Sequence, residues 1–305
     1  MPDQSEILKE LGVLVAGGVT PQDACVIVRN NYLRCLHAKR NRNVIAYYSG
    51  WLSPSALPND PSLIINDLDK NGFMNCIHEM DRSLGLDLIL HLPGGNIAAT
   101  ESIIDYLRAM FDANIETFIP QLSMSGGTML SLIGNTIHMG KQSNLGPIDP
   151  QFGPISAVNV VEELETALKE VANDQTRMVI WGPVLNKIAP GQIQMFRKAI
   201  EWSRVIGEQA LSKGMFVGDA EAKTKTETIL QTLTTDSKKN LAHDRHFHID
   251  ELQAAGLNIT KLESDPELQD IILSVHHSFM ISLINQRFSK LIENHLGKTF
   301  QLQAS

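Results

Sequence analysis

An α/β fold built from parallel βαβ units is predicted by three observations. Short runs of β-formers at 43–49, 86–91, 115–119 and 136–140 alternate with stretches of helical periodicity. The run at 86–91 is apolar enough to be a buried strand, as strands are when helices cover both faces of a parallel sheet. A rigid Pro93-Gly94-Gly95 corner then separates that strand from the next helical stretch.

In chain order, residues 1–40 read as helical. Apolar residues fall at Ile7, Leu8, Leu11, Val13 and Leu14, then at Cys25, Val26, Val28 and Leu33. Gly17-Gly18 and Pro21 divide this stretch into two short helices, with Thr20 placed to cap the second. NVIAYYS (43–49) is a strand, and the Pro-rich 52–62 is a loop. Helix 73–84, strand 86–91, helix 96–112, strand 115–119, helix 126–134 and strand 136–140 follow. From about residue 159 the pattern turns helical, with helices at 160–171, 190–214 (Pro190 at its start) and 219–234. Residues 246–259 read as strand, short helix, strand, and Asp265-Pro266 starts a long helix reaching about Leu296. The chain divides into an N-terminal helical arm (1–40), a core domain (41–262) and a C-terminal helix (263–305).

A net charge of −8 over 305 residues argues against a nucleic-acid partner, since phosphate binding needs a basic face and the one basic run is KRNR at 39–42. Three cysteines, Cys25, Cys35 and Cys76, widely spaced and without a CxxC, fit free thiols in a reducing compartment. No signal peptide and no apolar run long enough for an integral membrane segment are visible, so a cytoplasmic location is expected. DLDKNG (67–72) imitates the start of a calcium loop, but its twelfth position is His78 rather than Glu. His246 and His248 would share a strand face, yet no HExxH or carboxylate cluster accompanies them, and no metal or other cofactor is expected.

The chemistry concentrates in LILHLPGGN (88–96) and LSMSGGTM (122–129). Gly94 and Gly95 offer unobstructed backbone N–H groups, and Ser125 stands at a strand-to-helix turn before Gly126 and Gly127. A serine hydroxyl needs a base and donors for a developing oxyanion before it becomes a nucleophile. Here Gly94, Gly95 and Gly126 are the candidate oxyanion donors. Ser123 replaces the first glycine of GxSxG, which argues against an α/β-hydrolase elbow.

These stretches, together with VIAYYSGWL (44–52), MGKQSNLGPIDPQ (139–151) and AAGLNI (254–259), resemble the serine dehydrogenase proteinase family of the ClpP/crotonase superfamily, relatives of signal peptide peptidase A. The resemblance spans most of 44–260. It implies a ClpP/crotonase-like core of repeated ββα units, with N-terminal helices and a helical C-terminal part. It implies a serine endopeptidase that forms an acyl-enzyme on Ser125, acts on a peptide or protein substrate and assembles as a homo-oligomer. Gly126 stands where relatives often carry Ala, and Leu92 where they often carry Thr.

The general base is less determined. The Clp branch keeps its histidine where this chain has Ile148-Asp149-Pro150, while signal peptide peptidase A relatives use a later lysine. Lys187, among apolar neighbours, is the preferred base, so a Ser-Lys dyad is expected over a Ser-His-Asp triad. The alternatives are Lys198, His243, Asp244 and Asp149; Asp149 is held by two prolines, and His243-Asp244 precede the AAGL turn as the third member of the Clp triad does. Lys169 and Lys141 are weaker candidates. Two rival functions remain: a crotonase-like acyl-CoA enzyme, and an inactive peptidase-fold scaffold or binding protein. No pyridoxal-phosphate lysine motif or nucleotide fingerprint supports a role in serine metabolism.

Overall fold

A computed structural model describes residues 3–54, 56–57, 60–234 and 242–304. Helix α1 (Gln4–Ala16) leads into α2 (Pro21–Arg40), which is a single 20-residue helix. Thr20 accepts a hydrogen bond from the Asp23 amide, and Pro21 occupies the first turn, where a missing N–H leaves no bond unmade. Then come β1 (Asn43–Ser49), α3 (Asp69–Ile77), β2 (Leu86–His91), α4 (Ile97–Phe111), β3 (Ile115–Ile119), β4 (Leu122–Ser123), α5 (Gly126–Ser131) and β5 (Ile137–Met139). Short strands β6 (Asn144–Leu145), β7 (Gln151–Phe152) and β8 (Ile155–Ser156) precede helices α6 (Ala157–Asn173), α7 (Met178–Leu185), α8 (Gln192–Ser212), α9 (Ala222–Leu233) and α10 (Ile249–Ala255). The chain closes with β9 (Ile259–Lys261), α11 (Pro266–Gln286), β10 (Phe288–Asn294) and β11 (Thr299–Gln303).

Among the described residues, seven strands form the central sheet in the order β11-β10-β1-β2-β3-β5-β9. The run from β1 to β9 is parallel, and β10 and β11 add antiparallel strands at one side. Successive side chains of β1 serve opposite faces. Ile45 and Tyr47 join the core that Phe73, Leu107 and Leu130 complete, whereas Val44, Ala46 and Tyr48 pack with Leu36 of α2 and Phe279 of α11. Both faces are therefore covered, as the alternation of strands and helices predicts. Among the described residues, no helix is long and apolar enough to cross a membrane.

The largest departures from expectation are two; smaller ones are the 20-residue length of α2, the unforeseen α7, and an isolated bridge at Phe247 where a strand was expected. The long C-terminal helix, expected to reach Leu296, ends at Gln286, where Arg287 turns left-handed at φ 53°. Residues 288–294 then pair with β1 as a strand. The misleading residues are Lys290 and Glu293, which read as a helix surface but are fully buried, paired with Asp69 and Arg29. Helix α3 starts earlier than expected and ends at Ile77, with only a 3₁₀ turn at Arg82–Leu84. Gly72 lies inside α3, where its missing side chain admits the close approach of Ile292 and Phe300; a Cβ there would lie 2.6 Å from Ile292 Cδ1.

Candidate active site

Parallel strands that end together leave a crevice at their carboxyl ends, and the site lies there. Past β2, Leu92 continues the pairing toward β4: its amide donates to the Leu122 carbonyl at 3.1 Å, and the Met124 amide donates to the Leu92 carbonyl at 2.9 Å. This short ladder sets Ser125 against the Pro93-Gly94-Gly95 bend. Gly94 has φ +101°, and a Cβ there would lie 2.6 Å from Ser125 Cβ and 3.0 Å from the Gly126 nitrogen. Only glycine fits both the backbone conformation and the space.

Ser125 caps the start of α5 with φ 52° and ψ −116°, an unfavourable region for a residue with a side chain. Such strain is held only where surroundings over-determine it. They do so here: a Cβ on Gly126 would lie 2.8 Å from Thr100 Oγ1, and one on Gly127 would lie 2.7 Å from Ser123 Oγ. Ser125 itself remains half-buried and lines a cavity of about 610 Å³. Among the described residues, the amides of Gly94, Gly95 and Gly126 donate to no protein acceptor. All three glycines line the same cavity.

Asp149 and His243 line it too. Leu145 of β6 pairs with Phe247 through hydrogen bonds of 2.8 and 3.2 Å, which lays the segment after residue 242 along the loop carrying Asp149. His243 Nδ1 lies 2.7 Å from Asp149 Oδ1. The carboxylate is 1 % exposed, and its second oxygen accepts from Gln151 Nε2 at 2.7 Å and Ser156 Oγ at 3.0 Å. The imidazole is held through Nδ1, and among the described residues no hydrogen-bond partner meets Nε2. Gln151 and Ser156 carry no motif that would mark them in the sequence.

The lysines lie elsewhere. Lys187 is exposed in the turn after α7, and Lys198 is exposed on α8, although the next residue, Ala199, lines the cavity. Lys169 and Lys141 are exposed as well, and the Lys141 amide is bonded to Glu263. Asp244 is exposed and outside the cavity lining. His138 is committed to Glu116, 2.6 Å away, and stacks on Phe118. Among the described residues, no cluster of three or more His, Cys, Asp or Glu side chains is arranged to hold a metal ion.

Comparison with known proteins places this geometry in context. The profile of a family described as ClpP-like SDH-type serine proteinase matches residues 13–267. An uncharacterized protein of Methanocaldococcus jannaschii is 31% identical over 193 residues, covering 60% of this chain and 66% of the relative. A second uncharacterized protein of that organism is 31% identical over 112 residues, covering 37% of this chain and 38% of the relative. The match thus spans just under two thirds of the first relative and well under half of the second.

Proposed function

The chain belongs to the ClpP-like SDH-type serine proteinases, and from that premise we propose that it hydrolyses peptide bonds through Ser125, with His243 as general base and Asp149 as the carboxylate that orients it. The supporting observation is that one cavity is lined by Ser125, by three glycines with uncommitted amides and by a histidine–carboxylate pair. This reading prefers a Ser-His-Asp triad to a Ser-Lys dyad. The Asp149–His243 pair faces the cavity, whereas Lys187 and Lys198 are exposed outside it.

The steps follow from the groups. With Asp149 accepting a hydrogen bond from Nδ1–H, Nε2 of His243 carries the lone pair and takes the proton from Ser125 Oγ as that oxygen attacks the scissile carbonyl. The carbonyl oxygen becomes an oxyanion and accepts hydrogen bonds from the amides of Gly126 and the 94–95 bend. Each such donor is worth on the order of 10²–10³ in rate. His243 then gives its proton to the leaving amine, and the C–N bond breaks to leave an acyl-enzyme on Ser125. Water, deprotonated by His243, attacks the ester; the acyl C–Oγ bond then breaks, the carboxylic acid product leaves, and His243 returns the proton to Ser125 Oγ. The family supports a protein substrate, and a homo-oligomeric assembly belongs to the same proposal.

An acyl-CoA reaction is disfavoured by the cavity itself. Among its described lining residues there is no lysine or arginine to meet a diphosphate. A fluorophosphonate probe followed by peptide mapping tests the hydrolytic reading. A single adduct on Ser125, absent from Ser125→Ala, is expected together with turnover of a peptide mixture. Folded protein that takes no adduct and cleaves no peptide would return the scaffold reading.

A further inference from the structure

Lys290 of β10 and Asp69 of α3 form an ion pair with both side chains fully buried. Burial pulls the ammonium's pKa down, and Asp69 pushes it back up. A buried ion pair is weak evidence for stability, because desolvating both charges offsets much of their attraction. Its hydrogen bonds point to another role. Lys290 Nζ donates to Asp69 Oδ1 at 2.7 Å and Oδ2 at 2.9 Å, and to the carbonyl of Ile64 at 2.7 Å. Asp69 Oδ2 also accepts from Tyr47 Oη at 2.5 Å and from the Asn66 amide at 2.9 Å.

Ile64 and Asn66 flank Ile65, the residue that clamps the glycine bend. The Ile65 amide donates to the Gly94 carbonyl and the Asn96 amide donates to the Ile65 carbonyl, each at 2.8 Å. The approach leaves no slack, since a Cβ on Gly95 would lie 2.3 Å from the Ile65 nitrogen. Ser49 Oγ holds the preceding carbonyl, that of Leu63, at 2.6 Å. Residues 63–66 are therefore a strap, fixed behind by buried polar groups and bonded in front to the bend.

We propose that Lys290, with Asp69, is a positioning residue for the glycine bend, holding the Gly94 and Gly95 amides through the 63–66 strap in the register that an oxyanion beside Ser125 requires. The inference rests on the hydrolytic reading above for its effect on rate, but its structural half can be read separately. A displacement of about 1 Å in such a site is enough to cost on the order of 10²-fold in rate.

The test is the double variant Lys290→Met/Asp69→Asn, which removes both charges and the Ile64 anchor while keeping an acceptor for Tyr47 and Asn66. Two readouts are taken on the full chain: amide hydrogen exchange, and the rate of fluorophosphonate labelling of Ser125. The expected result is exchange at Ile65 and Asn96 accelerated about tenfold or more, exchange in β2 and β3 unchanged, and labelling slowed about 10²-fold. If the variant does not fold, Tyr47→Phe is measured instead, with a rise of about threefold at Asn66 and a matching loss of labelling expected. Unchanged exchange at the strap, or a loosened strap with undiminished labelling, overturns the proposal. A loosened strap in a protein whose wild type takes no label keeps the strap's structural role and overturns the hydrolytic reading instead.

Discussion

The two halves of the candidate site are built in different ways. The nucleophile side is made of backbone: a glycine bend, a strained serine and two more glycines, packed so closely that a Cβ on Gly94 or Gly127 would meet a neighbour within 2.7 Å. The proposed base side is made of side chains on loops, where Asp149 and His243 stand 94 residues apart and meet because Leu145 pairs with Phe247. The first half is rigid through local geometry, whereas the second depends on a long-range pairing and on Gln151 and Ser156 holding the carboxylate. Changes at the base side should therefore spare the fold and affect proton transfer. Changes at the bend should alter geometry and stability together.

The sharpest break comes from His243→Ala. Loss of the proposed base should slow peptide hydrolysis on the order of 10⁴-fold or more with an unchanged melting temperature, as in triads whose members act as a unit. Asp149→Asn should follow at about 10⁴-fold, because an amide that donates to Nδ1 presents the wrong imidazole tautomer to Ser125. Steady-state kinetics beside circular dichroism check both variants; a loss of activity that tracked unfolding would erase the contrast with the bend. Gly94→Ala should lower activity about 10²–10³-fold through the displaced amides. Unlike the base variants, it should also lower the melting temperature, since the new Cβ meets Ser125 in a backbone conformation that alanine avoids.

A smaller effect concerns the strand that delivers the bend. His91 ends β2, packs against Trp51 with ring centroids 4.3 Å apart, and is pushed down to about 3 by burial. An unfolded imidazole takes a proton below about 6.5. Between those values the unfolded chain binds the extra proton, so stability is complete above the upper one and falls as pH drops through the window. The limiting slope is about 1.4 kcal/mol per pH unit for each such group. His276, edge-on to His91 and likewise pushed down by burial, adds a loss of the same sign as pH falls. His91→Phe should flatten the slope measured by urea unfolding between about pH 4 and 6 without abolishing it; an unaltered slope would show that His91 does not contribute. The smallest effect is expected from Lys187→Ala, a change of less than about twofold in hydrolysis, as for an exposed side chain outside the cavity lining.

The same contrast explains what could be read from the chain. Backbone chemistry leaves a local record, so the 93–95 bend, the serine turn and most of the parallel strands were visible in residue types and spacing. Side-chain pairing across the fold leaves none. Lys290 meets Asp69 from 221 residues away. Nothing local distinguishes that lysine from a helix-surface lysine, which is why β10 read as helix. The choice between Lys187 and His243 failed to resolve for the same reason. Apolar neighbours in sequence suggested burial for Lys187, yet α7 buries none of its residues and leaves the following turn exposed. The calcium-like DLDKNG has a structural explanation as well, since its second aspartate is the buried partner of Lys290.

The most direct measurement is a crystal structure of the phosphonyl adduct on Ser125. The account predicts the phosphoryl oxygen within about 3.1 Å of the Gly126 amide and of an amide from the 94–95 bend, with His243 Nε2 within about 3.2 Å of Ser125 Oγ. A phosphoryl oxygen turned away from those amides, or a lysine Nζ in place of the imidazole, would contradict it.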